Sequence, residues 1–330
     1  MTDKASKKDN SAQKHEIRPT QSIELLKELH ILTRDGKLNQ DTRRKLKQVY
    51  HLVQFIEPLL KEVLNRKDNL SIVDHGAGKS YLGFILNDLF CKLQEKPSTI
   101  YGIEVREDLV QKSQDLATKL GFDNMKFLHL SVEDSLTSKD LPDEIDVVTA
   151  LHACNTATDD AIRFALSKKA QHIVLVPCCQ AEIAATLRKQ KSTSLKNELS
   201  EIWRHPIHTR EFGSHITNVL RCLQLESHGY DVTVTELVGW EHSMKNELIL
   251  ASKTGASRGA TQARAAERLA RDLWSELAHG DSVPQARREL QRDHVNRLAL
   301  AVLRPTPGAR ADDTPLPDLP PGAARHVQVL

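Results

Sequence analysis

Several groups of residues in this chain have types and spacings that suit chemistry. The clearest is IVDHGAGKSYLG, residues 72–83. Gly76 and Gly78 would let the backbone curl beneath a ligand where any Cβ would collide. An apolar run before the turn and a helical pattern after it place the turn at the carboxyl end of a strand, where open α/β sheets bind nucleotides. Two later segments bring acids to the same place. TIYGIEV (99–105) ends with Glu104, where a carboxylate would accept hydrogen bonds from ribose hydroxyls. KFLHLS (126–131) is followed by Glu133 and Asp134, which could hold an adenine amino group. The alternative is that Glu104 and Glu133 only cap the helices that follow. GAGKS also resembles the end of a phosphate-binding P-loop, but that loop needs glycine where this chain has Val73. A dinucleotide turn needs its third glycine earlier than Gly83.

The elements that must carry these residues follow from periodicity. Apolar runs at 70–73, 99–103, 126–130, 146–150, 173–176, 232–237 and 247–251 read as strands. Helical patterns separate the first five, at 81–93, 107–120, 158–166 and 181–189, and another at 211–228 leads into the sixth. This alternation predicts an α/β fold, a Rossmann-like doubly wound sheet. Only a short connection joins the last two strands, so they form a terminal antiparallel hairpin. A helical N-terminal region over 21–68 precedes the sheet, with helices at 22–32 and 39–64. Pro58 is expected to kink or split the second of these. Arg43, Arg44, Lys45 and Lys47 lie along one of its faces.

Residues 1–20 are polar and lysine-rich, a composition that predicts disorder. Lys253 is the last lysine. The segment 255–330 beyond it is rich in arginine, alanine and proline, with possible helices at 262–277 and 284–303. The 69–254 segment between is the expected catalytic unit. Formal net charge is +2, so no global field points to a nucleic-acid partner. Five cysteines, two of them adjacent, suggest a reduced compartment. With no long apolar run and no secretory leader, a cytoplasmic location away from membranes is the expectation. Oligomeric state is not legible.

Three blocks, VDHGAGKSYLGFIL, ALHACNTATDDAI and VPCCQAEI, occur in order. Together they resemble class I methyltransferases of the broad "methyltransferase domain" family. More distantly, they are similar to tRNA 2′-O-methyltransferases that carry H-L-C-G-x-A-T-D and a double cysteine. The resemblance covers about 69–253. It implies a seven-stranded sheet and S-adenosyl-L-methionine as cofactor. Gly76, Gly78, Tyr81, Glu104, Glu133, Asp134 and Leu151 would line the cofactor, and Asp74 would hold its amino-acid moiety, directly or through water. Where bacterial members of the broad family often carry aspartate, this chain has Asn155.

Methyl transfer from a sulfonium requires in-line alignment and, for a hydroxyl acceptor, removal of a proton. His152, Cys154 and Asn155 after strand four, with Cys178 and Cys179 after strand five, face the transferable methyl in this reading. His152 is a candidate general base, or else a residue that shapes its turn. The cysteines admit covalent attack on a pyrimidine. They also admit a zinc site with His152, although the usual C-x-x-C pairs are absent. The preferred reading is a soft lining for the acceptor pocket, with no metal. Thr158 and Asp159 could cap the next helix. In the hairpin loop, Trp240 and His242 could stack on an acceptor base, with Lys245 near a phosphate; the alternative is that Trp240 packs the domain edge. His205, His208 and Arg210, in an insertion before the last long helix, could rim the site. RNA is the leading acceptor, its phosphates guided by the basic face at 43–47. A small molecule or protein acceptor is the alternative, and a catalytically inactive cofactor-binding partner protein is the reading from another class.

Overall fold

The computed structural model describes residues 16–151, 156–177, 204–237 and 247–254, with isolated helical positions at 183–185, 188, 261, 265 and 268. Seven strands form one sheet in the order β3-β2-β1-β4-β5-β7-β6. They are β1 (Leu70–His75), β2 (Ser98–Glu104), β3 (Met125–His129), β4 (Val147–Leu151), β5 (His172–Val176), β6 (Tyr230–Glu236) and β7 (Glu247–Lys253). The first five run parallel, while β7 lies antiparallel between β5 and β6. β1, β4 and β5 are buried almost throughout, as strands covered on both faces must be. Asp146 pins β4 beside β1 at their amino ends. Its carboxylate accepts from the Ser71 N–H at 2.8 Å and the Ser71 hydroxyl at 2.8 Å, and pairs with Lys67.

Seven helices are described: α1 (Ile23–Glu28), α2 (Gln40–Arg66), α3 (Tyr81–Leu89), α4 (Glu107–Leu120), α5 (Val132–Thr137), α6 (Thr156–Ser167) and α7 (Pro206–Ser227). Local signals set several of their ends. Ser22 caps α1, and Asn39 and Thr42 form a reciprocal capping box at α2. Gly121, at φ 68°, closes α4. One core cluster joins α1, α2 and α3 to one face of the sheet. The other packs α6 and α7 against the opposite face through Ile162, Phe164 and Leu225.

Three expectations are modified. Pro58 sits inside α2 and does not split it; Val53, Ile56, Leu60 and Val63 are buried on both sides of it. An interior proline costs about 3 kcal/mol. Burying a large aliphatic side chain contributes roughly 1.5–3 kcal/mol each, so the core side chains outweigh it. The pattern at 81–93 is α3 followed by a short 3-10 turn, Cys91–Leu93. α7 starts five residues earlier than its periodicity suggested, at Pro206, with proline in the first turn where no N–H is required. Thus His208 and Arg210 lie on the helix itself, not in an insertion before it. Glu16 to Thr20 are also placed: Glu16 pairs with Arg43 at 3.0 Å, and the Tyr50 hydroxyl donates to the Glu16 carbonyl. Among the described residues no helix is long and apolar enough to cross a membrane, and Cys91 and Cys222 are free thiols.

Candidate cofactor site

At the end of β1 the chain turns sharply. Gly76 (φ 66°) and Gly78 (φ 58°) are left-handed, and so is Ser80 (φ 49°), the residue before α3. The Ala77 N–H donates to the Ile103 carbonyl at 2.9 Å, which fastens the turn to β2. The decisive latch is Glu104. One carboxylate oxygen accepts from the Gly78 N–H at 2.8 Å, the other from the Arg106 N–H at 3.1 Å, and the residue is 8% exposed. A carboxylate offers about four lone-pair positions, so capacity remains for ribose hydroxyls. Val105, directly after it, is apolar and 57% exposed, with its carbonyl bonded to His129. Sequence reasoning passed over Val105, although an exposed valine next to an acid expected to meet ribose would offer a surface to a flat, apolar ring.

Asp74 is not exposed to the crevice. It lies beneath the turn, accepting from the Thr149 hydroxyl at 3.0 Å and the Ser80 hydroxyl at 3.3 Å. Desolvation pushes its pKa up to about 7 against these bonds and that from the Gly83 N–H. Gly83 itself is required by packing, because a Cβ there would sit 2.6 Å from the Ser80 Oγ. His75 was not singled out from sequence. It is 4% exposed, its ring lies tilted against that of Phe164 of α6 with centroids 5.2 Å apart, and neither ring nitrogen has a hydrogen-bond partner among the described residues. Burial, chiefly, holds its pKa down to about 4.

The other expected residues that are described sit on several elements. Tyr81 begins α3 and packs against the first core cluster, its phenol pKa raised by burial. Leu151 ends β4 opposite Val176. Glu133 and Asp134 occupy the first turn of α5 and are exposed. Glu133 pairs with Arg163 at 3.0 Å, which lowers its pKa. Asp134 bonds reciprocally with Ser131, as a helix start does. Asp159, a candidate cap, instead forms a two-pronged pair with Arg221 of α7, at 2.7 and 2.9 Å. His152, Cys154, Asn155, Cys178, Cys179, Trp240, His242 and Lys245 lie outside the described residues. Among the described residues no cluster of metal-binding side chains occurs.

A doubly wound sheet closed by an antiparallel hairpin, with an acid-latched glycine turn after β1, defines a nucleotide-cofactor fold of the methyltransferase type. Residues 44–186 match the family model described as "Methyltransferase domain". Over these residues the chain is similar to class I methyltransferase domains, and S-adenosyl-L-methionine is the cofactor that this likeness implies. The residues present fit that group: a Cβ at Gly78 would meet nothing within 4 Å, so the turn borders open space, and Glu104 stands beside it. Among curated proteins the chain is 25% identical over 236 residues to a glutathione S-transferase C-terminal domain-containing protein of Bos taurus, an alignment covering 66% of this chain and 34% of the relative. The chain therefore spans about a third of the length of the curated relatives it matches. Similar solved structures include an rRNA methylase from Streptococcus thermophilus (TM-score 0.39, 14% identity, 61% of this chain and 95% of that one). Another is the magnesium protoporphyrin IX methyltransferase of Synechocystis PCC 6803 (TM-score 0.38, 14% identity, 70% and 94%).

Proposed function

We propose that this chain transfers a methyl group from S-adenosyl-L-methionine to RNA. The observation that carries the transferase reading is the glycine turn latched to Glu104 beside open space. When bound, the cofactor supplies a methyl carbon activated by its sulfonium. The chain's own residues do the rest of the work. The Gly76–Gly78 backbone admits the ligand closely, Glu104 holds ribose hydroxyls, Val105 backs the adenine face, and Asp74 keeps the turn rigid from below. The acceptor must then be aligned behind the methyl and, if it is a hydroxyl, must lose its proton to a nearby base.

Support for an RNA acceptor comes from α7. Its last turn leads into the start of β6, so its first turns lie toward the crevice end of the sheet. They carry His205, His208 and Arg210, with Arg204 just before. Lys79 and Arg106 add exposed cations at the turn itself. The basic start of α2 is less well placed for guiding phosphates to the crevice. It is tied to the segment before α1 through Arg43–Glu16, and that segment reaches the far end of α3, where Asp88 accepts from the Ser22 N–H.

The test is incubation of the chain with methyl-labelled cofactor and separated RNA, protein and small-molecule pools. Label should be retained by RNA, be lost on ribonuclease treatment, and decline steeply with salt. Label in either other pool would replace RNA as the acceptor. Cofactor binding without transfer to any pool would identify an inactive binding protein.

A further inference from the structure

Three connections leave the sheet at its crevice end, after β4, after β5 and between β6 and β7, and the described residues that flank them converge on α7. After β5, Gly213 meets Ala184: a Cβ on Gly213 would lie 2.7 Å from the Ala184 backbone nitrogen and 3.0 Å from its Cα. At the first residue of β7, the Asn218 amide donates to Glu247 Oε2 at 2.6 Å. After β4, Arg221 holds Asp159 through Nε at 2.7 Å and Nη2 at 2.9 Å. Arg221 is 1% exposed, and its Nη1 donates to Asn218 Oδ1 at 3.1 Å. At roughly 100° of helix per residue, Gly213, Asn218 and Arg221 fall within one half of the circumference of α7.

The chemistry of this chain of contacts is specific. A planar guanidinium satisfies both oxygens of Asp159 with parallel bonds and still has a donor for Asn218. The Asn218 amide then works in one orientation only, its oxygen toward Arg221 and its nitrogen toward Glu247. Neither Glu104 nor the glycine turn takes part in it.

We propose that Arg221 is a positioning residue for methyl transfer, fixing the start of α6 relative to the start of β7 through Asp159, Asn218 and Glu247. The proposal rests on the methyltransferase reading above and goes beyond it by separating cofactor binding from methyl transfer.

The experiment compares the full chain with Arg221→Gln, Arg221→Lys and Asn218→Ala. Three quantities are read: affinity for S-adenosylhomocysteine by calorimetry, amide exchange over 156–162 and 247–253, and methyl transfer to the labelled pool. Expected are affinities within threefold of the parent, transfer reduced tenfold or more, and exchange at least tenfold faster over both stretches in the Arg221 variants and over 247–253 alone in Asn218→Ala. Lysine should restore neither exchange nor transfer. Unchanged exchange in Arg221→Gln and Asn218→Ala would overturn the proposal, as would a loss that falls on cofactor affinity instead of transfer. If Arg221→Gln does not fold, Asn218→Ala decides, because it keeps the Arg221–Asp159 pair; faster exchange confined to 247–253 with reduced transfer upholds the proposal, and parental behaviour in both overturns it. A parent chain with no affinity for S-adenosylhomocysteine overturns the methyltransferase reading and the positioning role with it. Normal affinity with unchanged exchange sinks this proposal alone.

Discussion

Asp74 and His75 are neighbours in the chain with opposite responses to acid. Asp74 has a folded pKa raised to about 7 from 3.8, so its contribution to stability is full below the lower value and is lost as pH rises toward the upper one. His75 is depressed from 6.5 to about 4, so its contribution is full above pH 6.5 and is lost as pH falls. Between pH 4 and 6.5 the two slopes oppose each other. Replacing Asp74 by Asn should make the chain lose stability relative to the parent on acidification, by up to about 1.4 kcal/mol per pH unit. Replacing His75 by Phe should do the reverse. Urea titrations at pH 4.5, 5.5 and 6.5 would read both, and parallel slopes in all three proteins would refute the assignment. Glu104→Gln addresses binding itself. A hydrogen bond to a charged group contributes about 1.5–3 kcal/mol, so affinity for S-adenosylhomocysteine should fall by at least tenfold, as measured by calorimetry. Glu104 and the two glycines were legible in the sequence because their signals are local: a strand end, an acid, and a backbone that only glycine adopts freely. His75 was not, because its state depends on burial against Phe164 and on finding no hydrogen-bond partner among the described residues. Arg221 was equally hidden, since its partner Asp159 lies 62 residues away.

At the level of elements, the fit of α3 against the sheet depends on Gly83. A methyl group there would collide with the hydroxyl of Ser80, which also serves Asp74. Gly83→Ala should therefore destabilise the fold by about 1–3 kcal/mol, a cost typical of overpacking, and denaturant midpoints would show it. Strand positions were readable from the sequence because buried parallel strands are short apolar runs with turns at both ends. Helix ends were harder. Pro58 was expected to kink or split α2, and it does not split it, because local propensity cannot count the core side chains on either side of it. Pro206 did signal the start of α7, but the apolar period only becomes clear further along the helix.

For the whole molecule, binding and folding are coupled. A ligand that binds only the folded chain adds about 2.7 kcal/mol at a hundred times its dissociation constant. Denaturant midpoints should rise with added S-adenosylhomocysteine in the parent, and rise much less at the same concentrations in Glu104→Gln. An equal rise in both would remove Glu104 from the site. The global fold was legible because the alternation of strands and helices leaves few topologies, and the short 238–246 connection demands a hairpin. The acceptor end was not, because its geometry is set by side chains brought together from α6, α7 and β7.

The placement of β7 bears on how the polypeptide matures on the ribosome. β5 is a wholly buried strand, apolar from Ile173 to Val176, and its outer neighbour is a segment translated some seventy residues later. Until Glu247–Lys253 emerges, the nascent sheet presents an open, water-averse margin able to recruit a foreign strand. Chains halted at residue 237 should accumulate as aggregates, whereas chains halted at residue 254 should remain dispersed. Sedimentation of the two products after cell-free translation would tell them apart.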